Sequence, residues 1–212
     1  MTFPKPHRYL LTVSAVLLLG GCGGLLGSSG KPDTLFRFGA AEQNGTTAAE
    51  FPATGRTLTL ARIRFAPEIE GDRILTTRGS RVLYVKDARW VASAPELFAQ
   101  AMKRQFDQRA SNIQMVSWRT GGAGAVALQL SLDRFEARYA LGSDEKSPPT
   151  ILISGDATLT DLTDRQMQGS RRFLKEEPAR QNSKAEIAAA FDRATARFTA
   201  DVVDWTSQTL TD

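Results

Sequence analysis

The 212-residue sequence holds one histidine and one cysteine, His7 and Cys22, both close to its start. From Gly23 onward there is no imidazole and no thiol. That stretch cannot carry Ser-His-Asp or Cys-His catalysis, a zinc site built on His or Cys, or a disulfide. Charge of one sign is also scarce, since 27 Lys and Arg face 23 Asp and Glu. Without Lys5 and Arg8, which lie ahead of the cysteine, the basic count falls to 25 against the same 23. So near a balance does not supply the dense basic face that nucleic acid requires, and no nucleic-acid partner is expected. Long hydrophobic runs are missing too. The stretch Tyr9 to Leu19 is about 11 residues, where crossing a bilayer takes about 20.

What stands at the N-terminus is a short basic segment, that apolar stretch, and then Leu19-Gly20-Gly21-Cys22. Basic flank, short apolar run and small residues before a cut site make an export signal. A cysteine after Leu-Gly-Gly is the bacterial lipobox, in which lipid is joined to the thiol before cleavage. The expected organisation is a lipoprotein signal peptide over 1–21 and a Gly/Ser/Leu-rich flexible tether over 22–31, followed by a domain over 32–212. Cys22 is the expected lipidation site, with palmitate among its acyl chains.

The remaining chain is long enough for one domain with a single core. Thr34 to Phe38 suggests a first short strand, and Thr57 to Phe65, with Leu58, Leu60, Ile63 and Phe65, a buried one. Asp72 to Thr76 and Arg81 to Val85 read as a hairpin turning at Arg78-Gly79-Ser80. Ser93 and Glu96 have the spacing of a capping box. The helix they open sets Leu97, Phe98, Ala101, Met102 and Phe106 on one face. Ile113 to Trp118 is an expected strand turning at Thr120 to Gly124. Val126, Leu128, Leu130 and Leu132 then alternate cleanly with polar residues. Beyond Asp133 the apolar phase slips to Phe135, Ala137 and Tyr139, which predicts a bulge near Arg134. Two more strands are expected over Thr150 to Leu162 and Gln166 to Phe173. Ser183 with Glu186 opens a last helix whose inward stripe is Ile187, Phe191, Ala194, Phe198, Val202 and Trp205. The fold class is α+β: a mainly antiparallel sheet with two principal helices packed on one face, in a single domain.

In order along the chain stand Asp72-Arg73-Ile74-Leu75, Val82-Leu83-Tyr84, Arg89-Trp90-Val91, Pro95-Glu96-Leu97, Leu128 to Glu136 and Val202-Val203-Asp204-Trp205. Together with the lipobox they resemble the ABC-type transport auxiliary lipoproteins of the paraquat-inducible protein C type, over roughly residues 32 to 210. That family often has a second tyrosine where this chain has Val85. The resemblance implies a non-enzymatic accessory of a lipid-transport system. Its partners would be the membrane, through the N-terminal lipid, and a periplasmic mammalian-cell-entry-type protein of an ABC transporter. It would dock that component at the periplasmic face of the outer membrane, because Gly23 follows the lipidated cysteine where an Asp would favour the inner membrane. A carrier holding a hydrophobic ligand between sheet and helices is the alternative. No cofactor is expected, and a homo-oligomer is compatible with the sequence.

Tyr84 and Trp90 are the candidate partner or ligand contacts; equally, they could plug the core where the hairpin meets the helix. Other motifs read as structure. Ser143 and Lys146 have Ser-x-x-Lys spacing but fall in a polar loop before Pro148-Pro149. Gly30-Lys31 lacks the first glycine and the Ser/Thr of a phosphate loop. The pairs Asp161/Asp164 and Glu176/Glu177 read as solvated turn charge, and Arg171-Arg172 as facing water. The lipobox yields a direct test. Cells fed a clickable fatty acid should label the protein, and Cys22→Ser should carry no label; label persisting on that variant would place the lipid elsewhere.

Overall fold

Alternation in the segment around Leu130 decides which way the central sheet faces. The structure, a computed structural model, describes residues 32–39, 55–117, 124–144 and 146–211. Cys22, the signal, the tether and the turn expected over Thr120 to Gly124 lie outside them, except for Gly124. The chain divides into two units, Met1–Pro32 and Asp33–Asp212, and every described strand and helix belongs to the second.

The strands are β1 (Thr34–Phe36), β2 (Arg56–Leu60), β3 (Arg64–Phe65), β4 (Arg73–Arg78), β5 (Arg81–Trp90), β6 (Ile113–Ser117), β7 (Val126–Arg138), β8 (Thr150–Asp161) and β9 (Met167–Pro178). The helices are α1 (Ala94–Arg109) and α2 (Lys184–Thr211). All nine described strands join one sheet built around β7. Along one edge β7 pairs antiparallel with β8, which pairs antiparallel with β9. Along the other edge it meets three short parallel partners in turn: β2 at Leu58–Leu60, β3 at Arg64–Phe65 and β4 at Thr76–Thr77. Beyond β7 the sheet therefore forks, with β6 continuing it past β2 and the β4–β5 hairpin and β1 past β4. The one long strand expected over Thr57 to Phe65 is in fact two. The amide of Ala61 still donates to Leu128 at 2.9 Å, and the chain then steps out before rejoining β7 at Arg64.

The expected bulge is present. Pairing passes from Leu132 opposite Gly155 to Arg134 opposite Ser154, which leaves Asp133 as the extra residue. Leu128, Leu130 and Leu132 before it, and Phe135 and Ala137 after it, are all buried in the core. Gly155 permits the close crossing, since a Cβ built there would stand 2.4 Å from the carbonyl oxygen of Ser131.

Both helices cover the same face of this sheet. α1 begins at Ser93 as expected, but the capping box is not closed. The Ser93 hydroxyl donates to the Glu96 carboxylate at 2.8 Å and caps no backbone amide. At α2 the Ser183 hydroxyl does accept from the Glu186 amide, at 3.2 Å. The Glu186 carboxylate turns to the Arg180 amide and to Arg193 instead. The predicted inward stripe of α2 is buried from Ile187 to Trp205. Rings fill the space between the layers, with Phe135 4.7 Å from Phe191, Phe98 5.7 Å from Phe198 and Phe173 5.8 Å from Trp205. At the margins Lys175 of β9 reaches Asp201 at 2.6 Å, and Arg109 of α1 reaches Asp204 of α2 at 2.6 Å. Among the described residues no helix is long and apolar enough to cross a membrane.

The crossing at Gly155 meets backbone, which cannot swing aside. Gly155→Ala is expected to lower stability by about 1–3 kcal/mol in chemical denaturation, the usual cost of overpacking. Alanine at Gly71, where a Cβ would meet nothing within 4 Å, should leave the midpoint nearly unchanged.

Candidate interaction surface

The side chains that alternation turns away from the helices form a second face, and this face is ionic. Beyond the bulge β7 contributes Arg134, Glu136 and Arg138, opposite Ser154, Leu152 and Thr150 of β8. Arg134 pairs with Glu136 at 3.2 Å, and Arg138 with Glu176 of β9 at 2.5 Å. Arg172 spans Asp133 at 2.5 Å and Asp156 at 3.0 Å. Ser154 donates to Asp133 at 2.6 Å. Glu136 is 5% exposed even on this outer face, and Leu152 beside it is also buried.

Where this face meets the β4–β5 hairpin it opens into a groove of about 470 Å³. Leu75, Val82 and Leu141 give it apolar walls, while Glu68, Glu136 and Arg138 give it charge. Its position matters for the choice between docking and carriage. A drug-sized ligand is usually enclosed in an apolar chamber of about 300–1,000 Å³. Here the space has that size but lies outside the sheet, with charged walls. A second depression of about 210 Å³ lies at the end of α2, against Arg56 and Ile113. Among the described residues, buried side chains pack the layer between sheet and helices, Phe98, Phe135, Phe191 and Phe198 among them.

The two aromatics proposed as contacts are not brought together. Trp90 is 2% exposed and packs edge-on against Phe38 at 4.9 Å and Phe191 at 5.2 Å. It sits in the core, so no partner or ligand can reach its ring in this fold. Tyr84 lies half-buried beside the groove. Its hydroxyl donates to the carbonyl of Glu68 at 3.1 Å, and the Arg73 guanidinium stands 3.5 Å from its ring centre. Residues six apart in a regular strand share a face. They do not here because β5 carries extra residues, the pairing with β4 jumping from Arg89 opposite Arg73 to Tyr84 opposite Leu75. Asp87 within this insertion takes φ +51, and Lys184 donates to its carbonyl at 3.2 Å.

The remaining motifs fall into structural places. The Ser143 hydroxyl donates to Ala140 at 2.8 Å, and Asp144 accepts from the amides of Lys146 and Ser147, which makes that stretch a turn. Asp161 and Asp164 each accept the amide two residues on, at 2.7 and 2.9 Å. Glu176 and Glu177 are strand residues, not turn charges, because β9 runs on to Pro178. Glu176 meets Arg138 outside, and Glu177 meets Arg193 at 2.8 Å, and Arg197, on the helix side. Arg171 and Arg172 are mid-strand, Arg171 over the Phe173 ring and Arg172 in the ion pairs above. Sequence reasoning missed the groove, whose walls come from three segments that the β4–β7 pairing brings together.

A family model described as the ABC-type transport auxiliary lipoprotein component matches residues 37–203. No curated protein matches the chain. Among solved structures the fold is similar to that of a Xanthomonas campestris protein assigned to the family DUF330. The TM-score is 0.66 at 24% identity, over 76% of this chain and 89% of that one. It is also similar to an uncharacterized protein, with a TM-score of 0.63 at 13% identity, over 83% and 99% of the two chains.

The ionic face should respond to acid. Partial burial pushes the Asp133 carboxyl up, but the Ser154 hydroxyl and the Arg172 guanidinium outweigh it and hold the group below its ordinary value. A depressed folded-state pKa stabilises the fold above the unfolded value, and the gain is lost as pH falls through the folded one. Asp133→Asn should therefore cost at most about 1 kcal/mol at neutral pH, as half-exposed ion pairs do. Denaturation curves of variant and parent should converge as pH falls below about 4. A gap that persists undiminished into acid would show that the charge is not what matters at Asp133.

Proposed function

The chain belongs to the ABC-type transport auxiliary lipoprotein family, and from that premise we propose that it is a non-enzymatic auxiliary subunit of a mammalian-cell-entry-type lipid transporter. In this reading the signal over 1–21 is removed and Cys22 carries the lipid. The domain is held at the periplasmic face of the outer membrane, where it docks the transporter's periplasmic component. The observation that carries docking over carriage is the filled interior. A carrier in its own right needs an apolar chamber with a mouth, whereas Phe135, Phe191, Trp90, Phe98 and Phe198 occupy the place where it would lie. The groove outside the sheet is the larger of the two depressions described above, and its mixed apolar and charged walls suit a protein surface. Tyr84 belongs to this reading as the residue that braces the Glu68 wall of the groove, and Trp90 as a support for the fold beneath it.

The tether gives the anchor and the surface separate jobs. Gly23 to Lys31 is about nine residues, and a flexible chain of that length has a root-mean-square span of about 15–18 Å. Anchoring raises the local concentration of a partner site without adding a contact. A domain beginning at Lys31 is therefore expected to bind the periplasmic component in calorimetry, yet fail to restore envelope function in a deletion strain. Full rescue by the unlipidated domain at native expression would overturn docking in favour of a diffusible carrier.

A further inference from the structure

The first three residues of β5, Arg81, Val82 and Leu83, are all exposed, although successive side chains point to opposite faces. Val82 is 54% exposed on the groove side and Leu83 56% on the other. A half-buried hairpin would show one apolar face and hide it. This one shows both, because the tip projects past the end of the packed layers. Leu141, 80% exposed, lies across the turn, close enough that a Cβ on Gly79 would stand 2.9 Å from its Cδ2. Arg78 and Arg81 flank the turn, and among the described residues neither makes an ion pair. Arg78 instead lies over the Tyr139 ring, 5.1 Å from its centre, and donates to the Ser143 carbonyl. The nearby Asp144 carboxylate is tied into its own turn by the amides of Lys146 and Ser147, and it feels the Arg78 charge without pairing with it. Exposed aliphatic side chains flanked by two arginines at the turn, with Glu68 and Glu136 set back along the groove, match the boundary of an anionic bilayer, where apolar groups enter the acyl region and cations meet phosphates.

The direction of β1 selects the occupant. β1 pairs parallel with β5, Thr34 opposite Ala88 and Phe36 opposite Trp90. Chain entering β1 at Thr34 therefore arrives from the side on which the hairpin tip stands. Cys22 precedes Thr34 by 12 residues, and a flexible chain of that length has a root-mean-square span of about 20 Å. From Ala88 back to the tip is about 20 Å or less along the strand. We propose that the β4–β5 tip, with Val82, Leu83 and Leu141 as apolar contacts and Arg78 and Arg81 as headgroup contacts, is a second membrane-binding site that seats the domain on an anionic phospholipid surface. This rests on the reading that Cys22 carries a lipid anchor.

The composition supplies the means to test it. With Cys22 acylated, a cysteine introduced at Leu83 is the only free thiol in the mature chain. A nitroxide attached there reports depth through its relative accessibility to oxygen and to a water-soluble nickel chelate. The lipidated Leu83→Cys protein is reconstituted in vesicles of phosphatidylcholine with phosphatidylglycerol and in vesicles of phosphatidylcholine alone. Leu141→Cys serves as a second reporter. Met167→Cys serves as control, standing about 40 Å away on β9, level with the start of β7. The expected result is several-fold oxygen-favoured accessibility at positions 83 and 141 on the anionic vesicles, loss of that preference in Arg78→Glu/Arg81→Glu, and a water-exposed label at 167 throughout. Labels at 83 and 141 as wet as the one at 167 would overturn the proposal. So would equal depth without phosphatidylglycerol, or a label at 83 immobilised only when the periplasmic component is added. The intact mass of the same sample separates the two readings. A missing acyl mass removes the anchor itself, whereas an acylated protein with a wet tip removes only the second contact.

Discussion

The register shift at Asp133 holds the two layers of this domain together. β7 is long enough to pass under both helices, and its alternation would carry it through the bulge unchanged if no residue were skipped. Arg134 and Glu136 would then continue the inward series of Leu128, Leu130 and Leu132. Two charges would enter the core, at a cost far above that of losing a pair of ladder hydrogen bonds. The extra residue turns Phe135 and Ala137 inward instead, where Phe135 meets Phe38, Phe65, Phe98 and Phe191. The same shift sends Arg134, Glu136 and Arg138 outward and so creates the ionic face. Gly155 makes the geometry accessible by leaving room for the backbone of Ser131. The core and the groove are thus two consequences of one bulge.

That bulge was legible in the sequence because it interrupts a long, clean alternation, and the phase slip is visible on both sides of it. The insertion in β5 was not. Lys86-Asp87-Ala88 carries no glycine, and Asp87 reaches φ +51 through the tolerance of aspartate for left-handed backbone. Parity counted across it would place Tyr84 and Trp90 together, and the fold separates them onto opposite faces. The last residues of β9 were missed for a different reason. Lys175 and Glu177 look like solvated charge, but each has its partner on α2, a contact that local periodicity cannot show. The helix stripes are legible in the sequence because a 3.6-residue period in a long segment needs no knowledge of its neighbours. The groove needs tertiary information throughout, since nothing in Leu141 itself says that it will lie over Gly79.

Family membership and fold support the same division of labour. A filled aromatic interior makes a rigid body suited to presenting surfaces. Its two candidate surfaces differ in character: the groove is lined by charge as well as by aliphatic side chains, and the hairpin tip is aliphatic on both sides. One suits a protein partner and the other a lipid boundary. They share Val82 and Leu141, so a domain seated by its tip would hold the mouth of the groove at the bilayer surface. Under the proposed outer-membrane anchoring, that placement would meet a periplasmic component arriving from the inner membrane.

On this reading the domain works through its surfaces and encloses no ligand. Native mass spectrometry of the lipidated protein, extracted gently from envelopes and sprayed from a mild detergent, decides between the two. The expected mass is that of the polypeptide from Cys22 onward plus its covalent acyl groups, with no further lipid retained once detergent is stripped. A stoichiometric, non-covalent phospholipid that survives stripping would refute it and make the domain a carrier.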